Sequence, residues 1–122
     1  MPTILFVDDN PQLVDIHSTY LREMGYSVLT AGDGQVALDM LDEHPIDLLV
    51  TDVVMPGKEG FETIMEVRTK FPAMPIIAIS GGGRIGARDY LTLAMSMGAQ
   101  ATLSKPFSAA ALHREVKHLL KE

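Results

Sequence analysis

The 122-residue chain has the length of one ordinary domain, enough to bury a core without staples and too short for two such cores. It contains no cysteine, which excludes disulfides, thiolate metal sites and thiol catalysis. The formal charge is -6 and its 10 Lys and Arg residues are scattered, so there is no basic stripe for a phosphate backbone and direct binding to nucleic acid is not expected.

Thr3 to Val7 reads as a first strand, followed by the turn Asp8-Asp9-Asn10-Pro11, whose proline suits the opening position of a helix. From Pro11 to Met24 the residues Leu13, Ile16, Tyr20, Leu21 and Met24 recur at helical spacing, with Gly25 as a C-terminal cap. Ser27 to Ala31 is a short second strand. Asp33 then caps a helix carrying Val36, Ala37, Met40 and Leu41 that stops before Pro45. Leu48 to Thr51 is the third strand, an apolar run that surfaces on Asp52 and gives way to a long turn from Val53 to Glu59 containing Pro56-Gly57. A helix starting near Gly60 carries Ile64, Val67 and Phe71, and Pro72 and Pro75 mark its exit. Ile76 to Ile79 is the fourth strand, ended by Ser80-Gly81-Gly82-Gly83, and a helix follows from about Ala87 to Met97, closing at Gly98. Ala101 to Ser104 is a weak fifth strand, and Ser108 caps a last helix in which Leu112, Val116, Leu119 and Leu120 share a face.

Strand and helix alternate throughout, with crossovers too long for hairpins, which argues a parallel sheet covered by helices on both faces. Residues 1–122 are expected to form one domain with no output domain attached. No apolar run is long enough to cross a bilayer, and Met1-Pro2-Thr3 does not open a signal peptide, so a soluble, cytoplasmic chain without membrane insertion is expected. In open parallel sheets, sites form outside the carboxyl ends of the strands. Here those ends carry Asp8-Asp9, Asp52, Ser80 and Lys105, whereas Ala31-Gly32 after the second strand offers no chemistry.

Three carboxylates brought together repel one another unless a cation sits among them. Oxygen-only ligands suit a hard ion, and Mg2+ takes a couple of carboxylates while leaving room for phosphate oxygens. With such an ion in place a carboxylate can act as a nucleophile toward phosphorus, Lys105 can pair with the transferred phosphoryl group, and Ser80 can donate to it.

The acidic pair Asp8-Asp9, the run Asp52-Val53-Val54-Met55-Pro56-Gly57, Ser80-Gly81 and Lys105-Pro106-Phe107 stand in an order and spacing that resembles the receiver domain of two-component response regulators, of the small chemotaxis-receiver type. The resemblance spans essentially the whole chain. It implies a flavodoxin-like, doubly wound, five-stranded parallel sheet in the order 2-1-3-4-5 with five helices. It also implies that Asp52 accepts a phosphoryl group from a histidine kinase or histidine phosphotransfer protein. Mg2+ (or Mn2+) would be held by Asp9, Asp52 and the backbone carbonyl of Val54, with Asp8 completing the acid pocket by holding a metal-bound water. A cis peptide between Lys105 and Pro106 is implied as well, aiming the lysine into the pocket. The signal would leave through the loop after the fourth strand, including Ser80 and Gly81, and through the face formed by the fourth helix, fifth strand and fifth helix. The downstream protein is not specified by the sequence, and either a monomer or a phosphorylation-dependent dimer fits.

Two departures from the family pattern stand out. Thr102 occupies the position, three before the lysine, where an aromatic residue commonly couples to the hydroxyl after the fourth strand, so the output is expected to travel through backbone shifts of that loop instead. The run Gly81-Gly82-Gly83, followed by Arg84, Ile85 and Gly86, is unusually permissive and makes that loop mobile before phosphorylation. Val54 and Gly82, at positions that influence how water reaches an acyl phosphate, carry no hydrogen-bonding side chain, which points to a persistent phosphoryl group.

Taken singly, these residues have plainer readings: Asp8 and Asp9 as a helix-start turn, Asp52 as a turn residue, Lys105 as a surface lysine and Ser80 as loop. Their joint placement outweighs those readings. His17, His44, His113 and His118 lack partners at metal-ligand spacing and read as surface or boundary residues. Most of the eight methionines, which include Met65 in the third helix and Met95 and Met97 in the fourth, read as packing, and one exposed near the fourth helix would serve a partner. A haloacid-dehalogenase-type Mg2+ phosphatase wants a second Asp two residues after the nucleophile, where Val54 stands. A flavodoxin-like flavin module wants a hydroxyl-rich loop after the first strand rather than acids. A receiver that binds partners without phosphorylation would not need the complete acid, hydroxyl and lysine set.

Overall fold

The computed structural model describes residues 1–53, 60–81, 92 and 94–122. Five strands, β1 (Thr3–Val7), β2 (Ser27–Ala31), β3 (Leu48–Asp52), β4 (Ile76–Ser80) and β5 (Ala101–Ser104), form one parallel sheet in the order β2-β1-β3-β4-β5. The helices are α1 (Pro11–Glu23), α2 (Gly34–Glu43), α3 (Gly60–Lys70), α4, of which residues 94–97 are described, and α5 (Ala109–Leu119). The predicted turn from Val54 onward, the glycines 82 and 83 and the first part of the fourth helix lie outside the described residues.

The sheet is covered on both faces because its strands are apolar at consecutive positions, and alternation sends successive side chains to opposite sides. Leu5, Val7, Leu49, Ile76 and Ala78 pack with Ala37, Leu38 and Leu41 of α2, Ile64 and Val67 of α3 and Ala94 of α4. Ile4, Phe6, Leu48, Val50, Ile77 and Ile79 pack on the other face with Leu21 of α1 and Leu112 and Val116 of α5. The helices start where the sequence signals them. Asn10 accepts from the backbone N–H groups of Gln12 and Leu13 with Pro11 at the first position, Asp33 accepts from Val36 N–H, and Ser108 accepts from Ala111 N–H.

β3 and β4 each run one residue further than the hydrophobic pattern suggests. Asp52 stays in register with Ile79, and Ser80 with Ser104, so both chemistry-bearing residues belong to the sheet rather than to the loops after it. His17 is not a surface or boundary residue: its ring is buried between aromatic neighbours on β1 and after β5. Met65 and Met95 are about half exposed instead of packed, because Met65 sits about 100° around α3 from Ile64 and leaves the core face. Met97 does pack against the core.

At the end of the sheet away from the chemistry, Arg68 of α3 donates to Pro72 O, to Gly98 O at 2.6 Å and to Gln100 Oε1, while Gln100 Oε1 accepts from Ile76 N–H at 2.8 Å. Gly98 caps α4 with φ +124, and a Cβ there would stand 2.8 Å from Arg68 Nε. The cap needs glycine on both counts. Gly98→Ala is therefore expected to lower the stability to urea by on the order of 1–2 kcal/mol, the cost of placing an L side chain in left-handed backbone. A variant as stable as wild type would contradict this account of the α3–α4 junction.

Candidate functional site

The strand order changes direction between β1 and β3: β2 lies on one side of β1, and β3, β4 and β5 on the other. Such a switch point opens a crevice outside the carboxyl ends of the strands, and Asp8-Asp9 and Asp52 flank it. Alternation also sorts the side chains. Asp8 continues the parity of Ile4 and Phe6, Asp52 that of Leu48 and Val50, and Lys105 that of Ala101, so all three fall on the side of the sheet covered by α1 and α5. Ser80 has the opposite parity from Ile79.

Lys105 Nζ lies 2.7 Å from Asp52 Oδ2, to which it donates a hydrogen bond, and 2.9 Å from Asp8 Oδ2. Both acids are buried, Asp8 at 3% and Asp52 at 2% exposure. The lysine reaches them because its backbone N–H donates to Ser80 O at 2.8 Å, extending the β4–β5 ladder; the Lys105-Pro106 peptide is cis, as the family resemblance implied. Asp8 is held by Ala31 O, which accepts from its backbone N–H at 3.1 Å, and its Oδ1 accepts from Asn10 N–H at 2.9 Å. The end of β2, which offers no side-chain chemistry, thus still supports the site. Ser80 is buried at the adjoining strand end, with its hydroxyl 3.4 Å from Gly81 O. Val53 N–H donates to Ile79 O and keeps the chain after Asp52 against β4.

Asp9 is exposed at the mouth, beside a cleft lined by Asp8, Pro11, Val14, Thr30, Ala31 and Gly32. One carboxylate oxygen from each of Asp8, Asp9 and Asp52 lies within 4.8 Å of the others. Oxygens bound to one octahedral Mg2+ at about 2.0–2.1 Å stand at most about 4.2 Å apart, so a side-chain rotation brings these three into range. The charge points the same way. Among the described residues, three carboxylates against the one ammonium of Lys105 leave a formal excess of two negative charges, and buried Asp8 Oδ2 has that ammonium beside it but no well-aligned hydrogen bond. A divalent, oxygen-loving ion fits this donor set. Val54, whose carbonyl was expected to complete it, lies outside the described residues.

Thr102 is half-buried in β5, in register with Ala78, and no aromatic side chain stands at its position. His44 is exposed and His118 lies exposed near the end of α5, away from the acids. His113 meets Tyr26, whose hydroxyl donates to Glu122 at 2.7 Å, and burial together with that carboxylate pushes the Tyr26 phenol up to about 12. His17, whose packing the sequence did not reveal, lies on α1 within electrostatic reach of Asp8. Burial pushes its pKa below the ordinary histidine value, against the opposing pull of Asp8.

Burial alone would push the Lys105 ammonium down, but its bonds to Asp52 and Asp8 outweigh that and hold its pKa above the usual lysine value. Because the folded-state value is raised, the stabilisation from this pairing is complete below the unfolded value of about 10.5 and is lost as pH rises through the folded one. In urea titrations from about pH 8 upward, the stability difference between wild type and Lys105→Met should hold steady to about pH 10 and then shrink. A difference that grows with alkalinity would show that the ammonium is not paired in the folded state.

The chain is matched over residues 4–117 by the family model described as the response regulator receiver domain. It is 31% identical over 106 residues to the response regulator GtcR of Aneurinibacillus migulanus, covering 87% of this chain and 42% of that protein, so it spans less than half the length of that relative. Among solved structures it is similar to a response regulator receiver domain protein from Clostridium thermocellum (29% identity, 99% and 95% of the two chains, TM-score 0.91). It is also similar to the response regulator TrrA from Thermotoga maritima in complex with Mg2+-BeF (32% identity, 98% and 99%, TM-score 0.83).

Proposed function

Since the chain belongs to the family of response regulator receiver domains, we propose that it is a phosphorylation switch in which Asp52 takes a phosphoryl group from a phosphohistidine of a histidine kinase or phosphotransfer protein. The observation that carries this reading is the contact of one ammonium, Lys105, with two buried carboxylates at the strand ends flanking the switch point. A carboxylate oxygen of Asp52 forms the new P–O bond as the P–N bond of the donor breaks, and the departing imidazole nitrogen keeps the bonding pair and is protonated from solvent. Lys105, already at Asp52, pairs with the transferred phosphoryl group, and the Ser80 hydroxyl at the adjoining strand end donates to it.

Asp9, Asp52 and the backbone carbonyl of Val54 would hold Mg2+ or Mn2+, with Asp8 orienting a bound water. The ion supplies charge neutralisation at the phosphoryl oxygens. The Mg2+-BeF complex of the similar Thermotoga maritima protein supports that assignment. Phosphorylation would be read out by the loop after β4, from Ser80 and Gly81 onward, and by the face of α4, β5 and α5. With Thr102 in place of an aromatic ring, that signal would travel by backbone displacement. Slow amide exchange from Gly81 to Gly86 in the free protein, unchanged by phosphorylation, would contradict this route.

Incubation with acetyl phosphate and Mg2+ is expected to add one labile phosphoryl group by intact mass, not formed when the metal is chelated beforehand and absent in Asp52→Asn. Continuous release of phosphate without an adduct would favour an aspartyl phosphatase, and no metal-dependent change at all would leave a partner-binding receiver that is not phosphorylated. Val54→Asn introduces a side chain able to hydrogen-bond water and is expected to shorten the adduct's half-life severalfold. An unchanged decay would remove Val54 from any account of its persistence.

A further inference from the structure

His17 lies about two α1 turns beyond the capping Asn10, and it is buried at 6% exposure. Its ring runs nearly parallel to that of Phe6, at 8° with centroids 6.1 Å apart, and stacks on Phe107 at 27° and 4.7 Å. Phe6 is two residues before Asp8 in β1, and Phe107 is two residues after Lys105. One imidazole therefore bridges the strand that ends in the acids to the loop that carries the lysine. Its Nδ1 is buried without a hydrogen-bond partner. A polar ring left unsatisfied in an apolar slot is costly, so stacking rather than hydrogen bonding is what this residue contributes there. Among the described residues around it, Leu103 and Phe107 are only partly buried, Ser104 and Pro106 are exposed, and β5 has β4 as its single neighbouring strand.

We propose that His17 is a positioning residue, whose flat ring, clamped between Phe6 and Phe107, sets the distance from the Lys105 loop to the carboxylates of β1 and β3. The acids lie on the inner strands β1 and β3, which have neighbours on both sides. The lysine hangs from an edge strand, beyond the last ladder bond from Lys105 N–H to Ser80 O. The aromatic stack supplies the second attachment that an edge-strand loop needs to hold a charged group within hydrogen-bond range. A flat ring meets both neighbours, whereas a methyl group or a branched aliphatic chain cannot lie parallel to two rings at once. The consequence for phosphorylation rests on the reading of Asp52 as phosphoacceptor, but the geometric role does not.

The test compares wild type with His17→Ala and His17→Phe, each at a temperature where circular dichroism shows it fully folded. The first readout is the nuclear Overhauser contact between the Lys105 ε-protons and the Asp52 β-protons, and the second is the initial rate of labelling by acetyl phosphate with Mg2+. In His17→Ala the contact should weaken by at least about half and the rate fall on the order of tenfold or more, as for a reacting group displaced by about 1 Å. His17→Phe should restore both. Loss in Ala with rescue by Phe supports the clamp, and an undiminished Lys105–Asp52 contact in His17→Ala overturns it. If His17→Ala does not fold, Phe107→Leu removes the other ring and is read the same way. If wild type takes no phosphate, the phosphoacceptor reading falls, and the proton contact alone decides the role of His17.

Discussion

The contact on which the site depends is a lysine ammonium shared between two carboxylates taken almost wholly out of water. Asp8 and Asp52 are each nearly inaccessible, and an uncompensated charge at such depth is strongly unfavourable. Lys105 offsets that cost at 2.7 and 2.9 Å, and the pairing lifts its own pKa despite the burial that opposes it. The compensation is incomplete by design of the residue set, since a third carboxylate, Asp9, stands within 4.8 Å at the open mouth. A pocket with residual negative charge and oxygen donors attracts a divalent cation and, through it, the oxygens of a phosphoryl group.

The two ends of the sheet use polar side chains differently. At the end opposite the acids, they satisfy backbone groups: Arg68 binds Gly98 O, Gln100 binds Ile76 N–H, and Asp47 accepts from Thr3 N–H at 2.7 Å. Tyr26 and Glu122 join the start of β2 to the end of α5 in the same manner. These bonds hold the crossovers in place, so that the carboxyl ends of β1 and β3 meet with Asp8 and Asp52 on one side. At that carboxyl end the Lys105 ammonium is turned toward the carboxylates of Asp8 and Asp52. A fold of this kind separates the positions that confer rigidity from those that carry chemistry.

The stack of Phe6, His17 and Phe107 connects the two functions. It belongs to the apolar face formed with α1 and α5, yet its outer members stand two residues from Asp8 and from Lys105 along the chain. Packing in the core is thereby transmitted to the separation of two charged groups.

Much of this protein was legible in its residues. The alternation of apolar runs with helical periodicities dictated a parallel sheet with helices on both faces, since β1, β3 and β4 are apolar at consecutive positions. The caps at Asn10, Asp33 and Ser108 and the glycines 25 and 98 are local chemistry, and local chemistry survives in the sequence. The four chemistry-bearing strand ends were visible for the same reason. What only the tertiary structure decided is whatever depends on distance between remote segments. That Asp52 and Ser80 are ladder residues, that the Lys105 ammonium bridges Asp8 and Asp52, and that His17 leaves the surface to lie between two rings all require partners 11 to 97 residues away. Periodicity reports which face of a helix is apolar; it carries no information about which ring will meet that face.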